Sequence, residues 1–211
     1  MNPGRGLYLV LEGGDASGKS RQAQALVEWL RAEGVTVRHL REPGSTATGE
    51  ALRRLLLDPA TGDLQPLTEA LLFSAARAEM LREEVGPAVA AGEVVLVERC
   101  YLSTFVYQGV AAGQPLRVLE MVTEAVHKDL WPDRIFLLDV DDATRRARAD
   151  ASGKSDRIEE RSGGFHERVQ AGYREVADAR VVTVDARAGF DEVQAQLRSL
   201  IEAMMEGGAR D

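Results

Sequence analysis

Hydrophobic and polar positions along this chain follow two rhythms. Residues 7–11, 93–97 and 134–140 form short, nearly unbroken apolar runs, the pattern of strands covered on both faces. Residues 35–40 and 181–185 add two strands rich in β-branched side chains. Between them, apolar spacing predicts helices over 22–33, 49–57, 67–85, 116–126, 143–149, 165–177 and 190–205. In the longest of these, Leu71, Leu72, Ala75, Ala78 and Leu81 are the expected inward positions. Gly86-Pro87 should break or kink it, with a short helical piece continuing to Ala91. Strand, helix, strand implies right-handed crossovers, so the expected fold is α/β, a five-stranded parallel sheet flanked by helices.

The first apolar run breaks into Gly13-Gly14-Asp15-Ala16-Ser17-Gly18-Lys19-Ser20. Gly13, Gly18, Lys19 and Ser20 meet the pattern G-x-x-x-x-G-K-[ST], with a predicted strand before and a helix after, the context the motif requires. In such a P-loop, backbone N–H groups and the helix N-terminus converge on the phosphates of ATP. Lys19 would reach the β- and γ-phosphates, and the Ser20 hydroxyl would ligate Mg²⁺. The blander reading is a glycine-rich turn that only joins strand to helix. The G-x-G-x-x-G spacing of a dinucleotide site is not met.

Further candidates fall at the carboxyl ends of the predicted strands, where open α/β sheets bind ligands. The second strand runs into Arg41-Glu42-Pro43-Gly44-Ser45-Thr46, which reads equally as a hydrophilic turn. The third ends in Glu98-Arg99, a carboxylate suited to hydrated Mg²⁺ beside a guanidinium suited to phosphate. A predicted helical turn, residues 103–109, offers hydroxyls and an amide beside the same edge. Of Arg53 and Arg54, one should face solvent. Phe73 and Arg77 share a helix face, either to grip a planar base or as a core ring with a surface arginine. Arg145, Arg146, Arg148, Lys154 and Arg157 lie in a small, polar stretch that reads as a mobile basic flap over transferring phosphates, or as a solvated helix end. His39, His127 and His166 lack metal-ligand spacing and receive no chemical role.

Composition narrows the class of partner. The 211 residues fit one domain, 1–211. A formal net charge of −8 argues against a nucleic-acid polymer, though not against a free nucleotide in a small basic pocket. A lone cysteine, Cys100, points to a reducing cytoplasm, and no apolar run approaches a membrane span.

With these stretches laid out, the chain resembles the thymidylate kinases, P-loop nucleoside monophosphate kinases, over nearly its whole length. The resemblance is carried by residues 12–20, Arg41-Glu42-Pro43-Gly44-Ser45-Thr46, Leu72-Phe73-Ser74-Ala75-Ala76-Arg77, Glu98-Arg99 with Tyr107-Gln108-Gly109, and Asp156-Arg157-Ile158-Glu159, in this order and spacing. It implies a P-loop kinase fold with a lid at about 145–160, a homodimer, and the reaction ATP + dTMP giving ADP + dTDP with Mg²⁺. By similarity Asp15 would help position acceptor and metal, and Arg53 and Arg99 would hold the dTMP phosphate near Glu42 and Pro43. Phe73 would stack on thymine, with Arg77, Thr104 and Gln108 supplying polar contacts. Tyr107 would disfavour a ribose 2′-hydroxyl. Thymidylate kinases commonly have Asp where this chain has Glu98, whose longer side chain favours water-mediated metal contact. Some have a basic residue where this chain has Ala16, so the resemblance is to the class whose lid supplies the catalytic cation, here Arg148, Lys154 or Arg157. The rivals are a kinase for another nucleotide or nucleoside and a nucleotide-dependent switch. Against the switch, the chain has no N-K-x-D sequence and no Walker-B aspartate at the end of the third strand.

Overall fold

The computed structural model describes residues 5–152, 156–161 and 163–208. Five strands, β1 (Tyr8–Glu12), β2 (Val37–Arg41), β3 (Val94–Glu98), β4 (Arg134–Asp139) and β5 (Val181–Asp185), form one parallel sheet in the order β2-β3-β1-β4-β5. The order reverses around β1, so the carboxyl ends of β1 and β3 open into the crevice where such sheets collect ligands. β1, β2 and β3 each run one residue beyond the apolar pattern, to Glu12, Arg41 and Glu98. The backbone ladder continues past the hydrophobic run: the amide of Arg99 donates to Leu11 at 2.9 Å, and that of Glu42 to Glu98 at 2.9 Å. Charged side chains are thereby held at the sheet's edge by regular structure.

Alternation on β1 divides the core. Tyr8 and Val10 pack with Val95, Val97, Ile135 and Leu137 on one face; Leu9 and Leu11 pack with Leu96, Phe136 and Leu138 on the other. The second face is covered by α1 (Lys19–Ala32) and α9 (Phe190–Gly208) through Leu26, Leu30, Leu197 and Ile201. The first is covered by residues of α3 (Pro66–Met80), α4 (Gly86–Ala90), α5 (Tyr101–Thr104) and α8 (Gly163–Glu175). The remaining helices are α2 (Ala47–Leu57), α6 (Leu116–His127) and α7 (Asp142–Ser152).

Three helical expectations change. α1 begins at Lys19, three residues before the predicted start, so Lys19 and Ser20 stand in its first turn, where backbone N–H groups are free. The helix at Gly86-Pro87 does not break. It widens into π-helical turns over Leu81–Val85 and resumes with Pro87 in the first turn of α4, where a missing N–H costs nothing. On α3 the inward face is not the predicted one. Leu71 is 47% exposed, whereas Glu69, Ala70, Ser74, Ala76, Arg77 and Met80 are buried. Hydrophobicity misreads this helix because its inner face carries Glu69 and Arg77, polar side chains buried in ion pairs with other parts of the chain. Of the arginine pair, Arg54 faces solvent and Arg53 is half-buried.

Beneath the first face, His127 stacks on Trp131 at 4.5 Å and meets Tyr101 edge-on at 5.4 Å. Its Nδ1 lies 2.9 Å from the Leu130 carbonyl, which only accepts, so Nδ1 carries the proton and Nε2 is buried bare. Burial, reinforced by the Arg77 charge, pushes its pKa down from 6.5 to about 3. The unfolded chain therefore binds the extra proton first, and stability falls as pH drops below about 6.5, by roughly 1.4 kcal/mol per pH unit until about pH 3. Thermal melts should show His127→Phe losing less stability between pH 7 and pH 5 than wild type, by about 2 kcal/mol. Parallel pH profiles would refute the assignment.

Candidate active site

The sheet's carboxyl edge opens into a cleft of about 520 Å³ whose floor is the loop between β1 and α1. Two glycines make that loop possible. Gly13 has φ +142, and a Cβ there would lie 2.7 Å from the Leu138 carbonyl oxygen; Gly18, at φ +96, caps α1. Lys19 is folded onto the loop, its Nζ donating to the carbonyls of Gly13 at 2.9 Å and Gly14 at 2.7 Å. Burial and the nearby Arg99 lower the Lys19 pKa to about 8, against the pull of Asp15 and Glu12.

Glu12, fully buried at the end of β1, was not among the sequence candidates, yet it organises the loop. Its carboxylate accepts from the amides of Gly13 (3.1 Å), Cys100 (2.8 Å) and Ser103 (3.0 Å), and from the hydroxyls of Ser103 and Tyr173 (both 2.9 Å). A glutamate preceding a glycine loop carries no pattern of its own, because apart from Gly13 its partners are 88 to 161 residues away.

Arg99 stands at the middle of the cleft. Its backbone is left-handed, φ +71, unusual for a side-chain-bearing residue and typical of functional positions. Nη1 reaches the Gly13 carbonyl at 3.2 Å and Ser103 Oγ at 3.1 Å, while Nη2 pairs with Asp15. The second Asp15 oxygen accepts from the Tyr107 hydroxyl at 2.8 Å. Burial pushes the Asp15 carboxyl up, but Arg99, Lys19 and Tyr107 outweigh it and hold it below the usual range. Asp15 thus has both oxygens engaged, and a second group of oxygens suited to a hard cation lies where Ser20 Oγ touches Glu98 Oε2. His39, given no role by its spacing, holds the other Glu98 oxygen at 2.9 Å from Nε2. Burial would raise the Glu98 carboxyl, but His39 and Ser20 together hold it low. The longer glutamate spans both partners.

The opposite end of the cleft is lined by Pro43, Arg53, Phe73, Thr104, Tyr107 and Gln108. Arg53 Nη1 donates to the Pro43 carbonyl at 2.9 Å, and the Glu42-Pro43 peptide is cis. Arg77 is neither a surface arginine nor a lining residue. Fully buried, it pairs with Glu42 through Nε at 2.9 Å and donates from Nη2 to Thr104 Oγ1 at 2.8 Å, leaving Nη1 without a partner. Gln108 Nε2 donates to buried Glu69 at 3.0 Å.

The three lid cations separate. Arg148 lies beside the P-loop, Nη1 on the Ser17 carbonyl at 3.3 Å and Nη2 on that of Ala186 at 2.9 Å. Arg157 points away from the loop, buried against the Leu56 carbonyl (2.8 Å) and Glu69 (2.6 Å). Lys154 lies outside the described residues. Asp156, Ile158 and Glu159, next to Arg157, do line the cleft.

One edge of the sheet therefore holds a P-loop, a central arginine and an aromatic-walled pocket in line. The thymidylate kinase family profile matches residues 11–197, which include every one of these elements. The chain belongs to the thymidylate kinase family. Curated thymidylate kinases of Symbiobacterium thermophilum and Deinococcus radiodurans are each 40% identical to it, over 94% of both chains in the first case and over 92% of this chain and 95% of the relative in the second. That of Rhizorhabdus wittichii is 41% identical over 97% of this chain and 98% of its own.

Removing the Glu12 carboxylate would leave the amides of Gly13 and Cys100 without an acceptor and would take one acceptor each from the Ser103 amide and the Ser103 and Tyr173 hydroxyls. Glu12→Ala should cost on the order of 3 kcal/mol, read as a lowered urea midpoint. A midpoint within error of wild type would remove Glu12 from its organising role.

Proposed function

We propose that this cleft transfers the γ-phosphoryl group of ATP to dTMP, giving ADP and dTDP, with the donor on the P-loop and the acceptor in the Phe73–Gln108 pocket. The observation that carries this is the placement of Arg99 between the two ends, touching the P-loop residues Gly13 and Asp15 on one side and lying over the Tyr107 ring on the other. Phosphoryl transfer asks mainly for alignment and charge neutralisation, and this arrangement supplies both.

In this reading Lys19 leaves the carbonyls of Gly13 and Gly14 for the β- and γ-phosphates, exchanging neutral acceptors for charged ones. Arg99 and Arg53 hold the dTMP phosphate and aim its oxygen. Phe73 stacks on thymine while Thr104 and Gln108, each fixed by a buried ion pair behind it, read its polar edge; Arg77 acts through Thr104. Tyr107, tied to Asp15, fills the space a ribose 2′-hydroxyl would need. Ser20 and Glu98 are the oxygens that would hold Mg²⁺, which when bound neutralises phosphate charge. Arg148 is the lid cation that its position favours, at the P-loop end of a lid spanning about 145–160 on a single domain, 1–211.

The same reading includes a homodimer in the cytoplasm. Leu55, Leu67, Leu71 and Met121 are 45%, 39%, 47% and 63% exposed on α2, α3 and α6, helices that pack side by side, and a second copy would cover them. Among the described residues no helix is long and apolar enough to cross a membrane.

Coupled-assay ADP formation with dTMP, dUMP, UMP, CMP, AMP and GMP offered separately should show strong preference for dTMP. Turnover without acceptor dependence would sink the assignment. Lys19→Ala should lower kcat by about 10² or more; near-normal turnover would refute the role of Lys19. Light scattering on a sizing column should give a dimer, and Leu71→Glu should shift it toward monomer; a monomeric wild type would sink the dimer.

A further inference from the structure

Glu69 sits in the first turn of α3, fully buried, a position where a carboxylate is expensive unless fully partnered. Its partners come from two other parts of the chain. Oε1 meets Arg157 Nη2 at 2.6 Å and Arg161 Nη2 at 2.5 Å, and Oε2 accepts from Gln108 Nε2 at 3.0 Å. We propose that Glu69 is a positioning residue for the acceptor nucleotide, a single buried anion that fastens residues 156–161 over the acceptor end of the cleft and fixes Gln108 within it. The proposal rests on the reading of that end as the dTMP pocket.

The geometry separates the two ends of the lid. Arg157 and Arg161 flank Ile158 and Glu159, which line the cleft, so the two ion pairs set where the intervening residues stand. Arg157 adds backbone anchors, its amide donating to the Leu57 carbonyl at 3.2 Å and its Nε to that of Leu56 at 2.8 Å, and Leu57 itself lines the cleft. Arg161 lies over the Phe165 ring at 4.7 Å, which orients its guanidinium toward Glu69. Arg148, at the other end, is held by the carbonyls of Ser17 and Ala186 and shares no contact with Glu69. Neutralising Glu69 would remove the carboxylate that both arginines pair with, leaving neither an ion-pair partner among the described residues. Water then solvates them better than the protein does, and the segment moves off the cleft. Gln108 would lose the acceptor that fixes its amide, whereas the P-loop end would keep all its anchors.

The test compares wild type, Glu69→Gln, Arg161→Ala and the double variant as full-length proteins. Initial rates give KM for dTMP and for ATP, and calorimetry gives the dTMP Kd. Glu69→Gln should raise KM and Kd for dTMP by about tenfold while KM for ATP stays within about twofold. Arg161→Ala, which leaves Glu69 in contact with Arg157 and Gln108, should give part of the same dTMP defect, and the double variant should be no worse than Glu69→Gln alone. An unchanged dTMP KM in Glu69→Gln overturns the proposal, as does an equal rise in both KM values with a lowered melting temperature, the mark of general support. Should Glu69→Gln fail to fold, Arg161→Ala decides: an unchanged dTMP KM overturns the proposal and a selective rise upholds it. A wild type that neither binds nor phosphorylates dTMP would remove the acceptor reading and this inference together, whereas a normal wild type with indifferent variants removes this inference alone.

Discussion

The arrangement of the site depends on one buried carboxylate at the end of the central strand. Glu12 is inaccessible to water and accepts from the P-loop, from the loop after β3 and from Tyr173 on α8. Without it the amides of Gly13 and Cys100 would be unpaired in a low-dielectric interior. A single acceptor of high capacity joins all these segments at once, and in doing so it fixes the distance between the P-loop and the Cys100–Ser103 turn that follows Arg99.

The same device recurs around the cleft. Glu42 holds Arg77 behind Thr104, Glu69 holds Arg157, Arg161 and Gln108, and Glu98 joins Ser20 to His39. This resolves how a chain of net charge −8 builds a pocket for two polyanions. Arginines are brought beneath and around the cleft by the buried Glu42 and Glu69, each of which offsets the cost of desolvating its partners. Arg53 and Arg99 themselves line the cavity, Arg99 beside Asp15 and Arg53 on the Pro43 carbonyl. Preorganisation of this kind also limits the rearrangement needed when substrates arrive.

Departures from the expected residue types acquire a reason in three dimensions. A glutamate at position 98 is long enough to meet both a hydroxyl on α1 and an imidazole on β2, so its carboxylate is oriented from two sides. The left-handed backbone at Arg99 turns its side chain back across the sheet edge toward Asp15, a direction that a regular continuation of β3 would not give.

The sequence by itself determined the sheet, the order of its elements, the P-loop and the residues carrying the family resemblance, because these depend on local periodicity and on short spacings within one segment. It also placed Phe73, Thr104, Tyr107 and Gln108 as candidates that do converge on one cleft. Hydrophobic period failed on α3, where the buried face is polar, and strand ends were read one residue short, because ladder bonds come from neighbouring strands. Tertiary structure alone decided where Glu12, Glu69 and His39 find their partners, that Arg77 stands behind the pocket, and that Arg148 lies beside the P-loop while Arg157 is buried against Glu69. The physical reason is common to all of them: a buried charge is defined by partners brought from distant parts of the chain, and no local pattern in the sequence records that meeting.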